Sequence, residues 1–198
     1  MQSEEHLEKN YARMERVLGG MGQTTVDQPT EQRLVHRPKK WENAMSKLTL
    51  TTEGDTHVVV TRRFAAPPEA VYRAHTDPKL IQQWLLGPDG WTMPVCITET
   101  RPGGKIRYEW TNGKAGGFHI TGEYVELQPY SRIVHVERMH LPDPTPDNHI
   151  ETRFDADGSG TLMTMRMTLL DAKTRTGMLA TGMERGMEAS YVRLEGML

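Results

Sequence analysis

The chain has 198 residues, of which 25% are charged and 36% hydrophobic, with a formal net charge of -2. These totals suit one ordinary domain plus an appendage. They exclude a general electrostatic pull toward nucleic acid or anionic lipid, and no apolar run approaches the roughly 20 residues that span a bilayer. Cys96 is the only cysteine, so no intrachain disulfide can form. With the acidic, polar start MQSEEHLEKN, this points to a reducing cytoplasm. The ratio of Met 13 to Phe 3 argues for an adaptable interior, because methionine fills irregular space.

In chain order, Leu7, Tyr11, Met14, Val17 and Leu18 recur at spacings of three or four. That predicts an amphipathic helix ended by Gly19-Gly20. Residues 21–44 are polar, carry Pro29, Pro38 and the cluster RPKK, and read as a linker. Residues 1–44 are too short to bury a core of their own. They read as an N-terminal extension, either from an upstream start or as a helix for docking or homodimer formation. Met45 then opens a domain expected over residues 45–198.

HVVVTRRF (57–64) is β-branched and predicts a strand. Two short helices follow, one entered at Pro67-Pro68 and one capped by Asp77 with Pro78 at its first position. Strands are then expected at 94–101, 105–110, 118–127, 132–140, 149–154 and 161–170, separated by Gly- and Pro-rich turns, as in an antiparallel meander. One long helix is expected over 171–198, capped by Asp171. The order β-α-α-β-β-β-β-β-β-α predicts an α+β fold, a curved antiparallel sheet of about seven strands wrapped on that helix.

Alternation turns Ile106, Tyr108 and Trp110 to one face, with Phe118, Ile120, Met163, Met165 and Met167. Gly182, Gly186 and Ser190 form a small-residue stripe on the terminal helix, flanked by Leu179, Met183 and Met187. Such a stripe either presses the helix on the sheet or leaves a cavity beneath it.

Four stretches together carry a family likeness: HVVVTRRFAAPPEAVYRAHTDPKLIQQWLLGPDG, RPGGKIRYEW, GEYVELQPYSRIVHVER and ATGMERGMEASYVRLEGML. Over 57–198 the chain resembles the activator of heat-shock-protein-90 ATPase homologue-like family, within the SRPBCC superfamily of START-like, birch-pollen-allergen-like helix-grip folds. The resemblance implies small-molecule binding, with cyclase-like and dehydratase-like enzymes in the wider superfamily and a stress-response role in bacteria. It names a chaperone as a further partner, although residues 1–44 do not resemble the co-chaperone's additional N-terminal domain. It carries over no catalytic residue and implies no cofactor.

The expected ligand is small and hydrophobic or amphipathic, held between sheet and terminal helix. The candidate wall residues are Trp84, Tyr108, Trp110, Phe118, Ile120, His135, Arg138, Met165, Met183, Gly186 and Met187, with Tyr108, His135 and Arg138 orienting the ligand. On strand RIVHVERMH the phase is open: Val134 and Val136 inward would bring Arg138 with them, whereas a bulge would bring His135. The same cavity would serve an enzyme of cyclisation, dehydration or hydrolysis if it held an acid/base pair. A protein-binding module would instead expose a large apolar patch.

Other motifs read as structure. LPDPTPDNH gathers His140, His149, Asp143 and Asp147 without the tight paired spacing of a zinc site, and reads as a stiff loop at the cavity rim. DADGSG begins like a calcium loop but has Arg166 at its twelfth position, so it reads as a hairpin turn. No metal ligand set is identified. Whichever of Arg62 and Arg63 faces inward needs an anion, from Glu69, Glu99 or an acidic ligand.

Overall fold

The computed structural model describes residues 4–19, 47–113, 116–141 and 143–198. The expected linker at 21–44 and Met45 lie outside these residues, as do the side chains of Leu7, Met14, Val17 and Leu18. The elements are α1 (Glu4–Gly19), β1 (Thr49–Glu53), β2 (His57–Phe64), α2 (Pro68–Thr76), α3 (Pro78–Trp84), β3 (Thr92–Thr98), β4 (Lys105–Thr111) and β5 (Gly117–Gln128). They continue with β6 (Arg132–His140), β7 (Asn148–Asp157), β8 (Gly160–Thr168), α4 (Ala172–Ala180) and α5 (Met183–Glu195).

The strands form one 8-stranded sheet in the order β1-β2-β8-β7-β6-β5-β4-β3, with every neighbouring pair antiparallel. The expectation of seven strands missed β1. TLTTE is short and polar, and pairs with β2 along one side as an edge strand. The meander from β3 to β8 runs back across the sheet, so α2 and α3 bridge from β2 to the far edge at β3.

Local chemistry sets the boundaries. Extended Pro67 caps α2, and Pro68 starts it with no amide to leave unpaired. The Asp77 carboxylate accepts from Lys79 N at 2.9 Å and opens α3. Asp171 does the same for α4, accepting from Thr174 N at 2.7 Å.

The terminal helix is not continuous, which corrects the expectation of one long helix. It breaks at Thr181, and Gly182 takes a left-handed conformation (φ 75°) before α5 begins. Glycine is the residue that adopts this backbone without a Cβ penalty. Residues 171–195 therefore cover the inner face of the sheet as two helical segments joined at Thr181–Gly182.

The core is made by strict alternation on β2, which turns Val58, Val60, Arg62 and Phe64 inward. Phe64, Val71, Ile81, Met163, Tyr191 and Leu194 are also fully buried. Arg62 is the inward arginine, and its partners come from α5: Nη1 donates to Glu188 and Nη2 to Glu195, each at 2.8 Å. Glu69 and Glu99 are not involved. The fork of charged hydrogen bonds ties β2 to α5 and satisfies most of a guanidinium that is 0% exposed.

α1 lies on the domain. Tyr11 is buried against Phe118, Met139, Leu141 and Met178. His6 pairs with Asp143 at 2.6 Å, and Glu8 with Lys173 at 3.1 Å.

Candidate ligand cavity

A cavity of ≈ 270 Å³ lies between the inner face of the sheet and α4–α5. Its walls are layered by element. β4 contributes Ile106, Tyr108 and Trp110, β5 contributes Phe118, Ile120 and Tyr124, and β8 contributes Met165 and Met167. Met178, Met183, Gly186, Met187 and Tyr191 cover it from the helices, while Trp84 and the 85–88 segment close one end. That segment is pinned to α5: Gly87 N donates to Ser190 Oγ at 2.8 Å, and Arg193 donates to Gly87 O at 2.5 Å and to Asp89 at 2.7 Å. Trp110 Nε1 donates to Leu85 O at 2.7 Å, and Trp84 Nε1 to Ala74 O at 2.9 Å. Both indoles thus bury their rings without an orphaned N–H.

The small-residue stripe does not press the helix on the sheet: Gly182 lies in the break before α5, and Gly186 and Ser190 face the 85–88 segment. A Cβ on Gly186 would meet only Pro88 Cδ, at 3.9 Å, so the backbone of α5 approaches the loop while the cavity persists beside it.

Among the expected wall residues, Trp84, Tyr108, Trp110, Phe118, Ile120, His135, Met165, Met183, Gly186 and Met187 line the cavity. Arg138 does not. On β6 the inner face belongs to Ile133, His135, Glu137 and Met139, so the even-numbered residues, Arg138 among them, point the other way. The Arg138 side chain is 56% exposed and holds Asp147, whose carboxyl this hydrogen bond keeps below its usual range. A register shift on β5 between Tyr124 and Glu126 accompanies this phase.

The polar wall residues that sequence reasoning missed include His75, Tyr124, Glu137, Asn148, Thr145, Thr152 and Thr181. Glu137 follows from alternation once His135 is inward. Asn148 follows from alternation with Ile150, Thr152 and Phe154 on β7, and it sits directly opposite Glu137. His135 Nε2 lies 3.4 Å from Glu137 Oε2. His135 Nδ1, Asn148 Oδ1 and His75 Nε2 are buried without a hydrogen-bond partner. His75 Nδ1 donates to Val71 O at 2.7 Å. Burial pushes this histidine down to about 4, against the opposing effect of that bond, so the ring is neutral near pH 7. Tyr124 and Thr98 share a hydrogen bond of 2.7 Å, and burial raises the phenols of Tyr108 and Tyr124, which stay protonated.

Further residues of chemical interest have structural roles. Cys96 is half-buried, and burial first, then Asp77, pushes its thiol up to about 11; it is no nucleophile near neutrality. His119 lies on the outer face, stacked on His140 at 4.2 Å. In the loop after β6, Asp143 pairs with His6 and Asp147 with Arg138, while His140, the last residue of β6, pairs with Thr121. Among the described residues no group of three or more His, Cys, Asp or Glu side chains is arranged to hold a metal ion, and no helix is long and apolar enough to cross a membrane.

Residues 65–198 match the family described as Activator of Hsp90 ATPase homolog 1-like protein. Nothing among curated proteins matches the chain. Solved structures do. A Rhodobacter sphaeroides protein is 27% identical, with a TM-score of 0.69 over 76% of this chain and 97% of its own. A Mycobacterium smegmatis protein is 20% identical, with a TM-score of 0.68 over 76% and 96% respectively. One from Nitrosomonas europaea is 21% identical, with a TM-score of 0.65 over 74% and 96%. What the last two share with this chain is the fold.

Proposed function

Because the chain belongs to the family of activator of Hsp90 ATPase homolog 1-like proteins, we propose that it binds a small, largely apolar molecule in the cavity between the sheet and α4–α5. One observation carries the reading: a void of ≈ 270 Å³ is kept open amid a wall of aromatic rings and methionines. Protein interiors are normally close-packed, and an apolar guest of matching shape would make dispersion contacts with such a wall. Apolar burial would drive binding at about 25 cal/mol per Å², and methionines would let the wall adapt. Residues 45–198 form the binding unit in this reading, with residues 1–44 appended to it. A cytoplasmic, stress-related setting is part of the same proposal.

Native mass spectrometry of protein purified from its own host tests it. A retained mass that disappears on denaturation is expected. A bare polypeptide mass, together with no quenching of Trp84, Trp91 or Trp110 by apolar probes, would defeat the reading.

A second reading is favoured by the His135–Glu137 pair on the cavity wall. An imidazole beside a carboxylate is the acid/base equipment that hydrolysis, dehydration or cyclisation needs. Turnover of an aryl ester or β-hydroxy compound, lost in His135→Ala with binding intact, supports it. Turnover unchanged in that variant sinks it.

A further inference from the structure

The cavity is apolar around most of its wall but has one polar row. Tyr124 on β5 faces His135 on β6, and Glu137 on β6 faces Asn148 on β7. These side chains share the inner face of adjacent strands, with the Tyr124 and His135 rings 6.1 Å apart. The row has an unbalanced hydrogen-bonding capacity. His135 Nε2 is the ring nitrogen nearer the Glu137 carboxylate, at 3.4 Å; with the proton on that side, the unpartnered Nδ1 presents a lone pair. Asn148 Oδ1 is likewise an acceptor with no donor. Glu137 brings a carboxylate, and among the described residues no lysine or arginine lines the cavity. A third orphan acceptor, His75 Nε2, lines the same cavity from α2, apart from this row. Buried acceptors left unsatisfied are costly, and the group that removes the cost is a donor.

We infer that the cavity selects amphipathic molecules whose head group donates hydrogen bonds, an alcohol, phenol or amine in preference to a carboxylate, with Asn148, His135 and Glu137 receiving that head. The inference rests on the proposed ligand-binding role and narrows its chemistry. A carboxylate head would set one anion against Glu137 and aim acceptors at acceptors. A hydroxyl or ammonium fits both the charge and the direction of the available lone pairs.

The test is a matched series, octane, 1-octanol, octylamine and octanoate, titrated into the full chain and read by quenching of the cavity tryptophans. Octanol and octylamine are expected to bind at least about tenfold tighter than octane and octanoate. In Asn148→Leu the advantage of octanol over octane should shrink while octane binding is kept. In Glu137→Gln, a substitution of equal size at a half-buried position, octylamine should lose its advantage over octanoate. Equal binding of all four leaves the cavity reading standing and overturns the head-group inference, as does a preference for octanoate. If none of the four binds, the ligand-binding reading falls and the inference falls with it.

Discussion

The ring of Tyr11 lies flat against Gly177, so closely that a Cβ on that glycine would meet Tyr11 Cδ2 at 2.5 Å. Two residues far apart in the chain are thus fitted to each other. The N-terminal helix has its aromatic anchor, and α4 has the one residue type that admits it. Burial, reinforced by Asp171, pushes the Tyr11 phenol up to about 12, as expected of a ring taken out of water.

Gly177→Ala separates docking from helix propensity. Within α4 alone, alanine favours the helix by about 1 kcal/mol. In the docked arrangement it drives the Tyr11 ring off its seat. Amide hydrogen exchange over residues 4–19 is expected to quicken in Gly177→Ala and in Tyr11→Ala alike. Unchanged protection of that helix in both variants would mean that it is held by something other than this contact.

The buried cation on β2 makes a second prediction. Arg62 is 0% exposed, while its partners Glu188 and Glu195 keep 26% and 20% of their side-chain surface. Removing both carboxylate charges leaves a guanidinium stranded in the core. Removing the arginine leaves two carboxylates that reach water. Glu188→Gln with Glu195→Gln should therefore cost about 3–5 kcal/mol in denaturant unfolding, and Arg62→Met clearly less. The reverse order would show that the triad matters through Arg62 packing on Phe64 and Tyr191.

These two relationships mark where sequence reading runs out. The inward faces of β4 and β8 were legible, because Ile106-x-Tyr108-x-Trp110 and Met163-x-Met165-x-Met167 alternate cleanly, and two-residue periodicity is a local property. β6 was not, because Ile133, Val134, Val136 and Met139 put apolar residues on both faces. The phase is set by pairing with β5 and β7, and it turns polar His135 and Glu137 to a cavity where a packed core would reject them. The partners of Arg62 lie 126 and 133 residues away, beyond any local signal. The break at Gly182 was hidden because Gly182, Gly186 and Ser190 keep helical spacing across it.

His75 links the cavity wall to acid stability. Its folded-state value of about 4 lies below the ordinary 6.5, with burial as the main cause. The unfolded chain therefore takes up a proton first as pH falls through 6.5, and the folded state resists until about 4. Stability contributed by the neutral ring is complete above 6.5 and declines between 6.5 and 4, by up to roughly 3 kcal/mol across the window. Unfolding free energies between about pH 7 and about pH 5, where most carboxylates remain ionised, should fall for the native chain. The slope should flatten in His75→Phe. An equal slope in that variant would place the acid sensitivity elsewhere.

The two glycines of the terminal segment should respond to alanine with opposite signs. Gly182 sits at φ 75° between α4 and α5, and an L side chain there costs roughly 1–2 kcal/mol. Gly186 is inside α5, where a Cβ meets Pro88 Cδ at an ordinary 3.9 Å, and alanine should add up to about 1 kcal/mol. Thermal unfolding of the two single variants reads both signs directly. A longer side chain at the second position reports on the cavity as well: Gly186→Met adds helix propensity and sends its chain toward the void, so it should unfold no more easily than the native chain while losing affinity for apolar probes. If Gly186→Met binds those probes as tightly as before, the guest does not lie beneath α5.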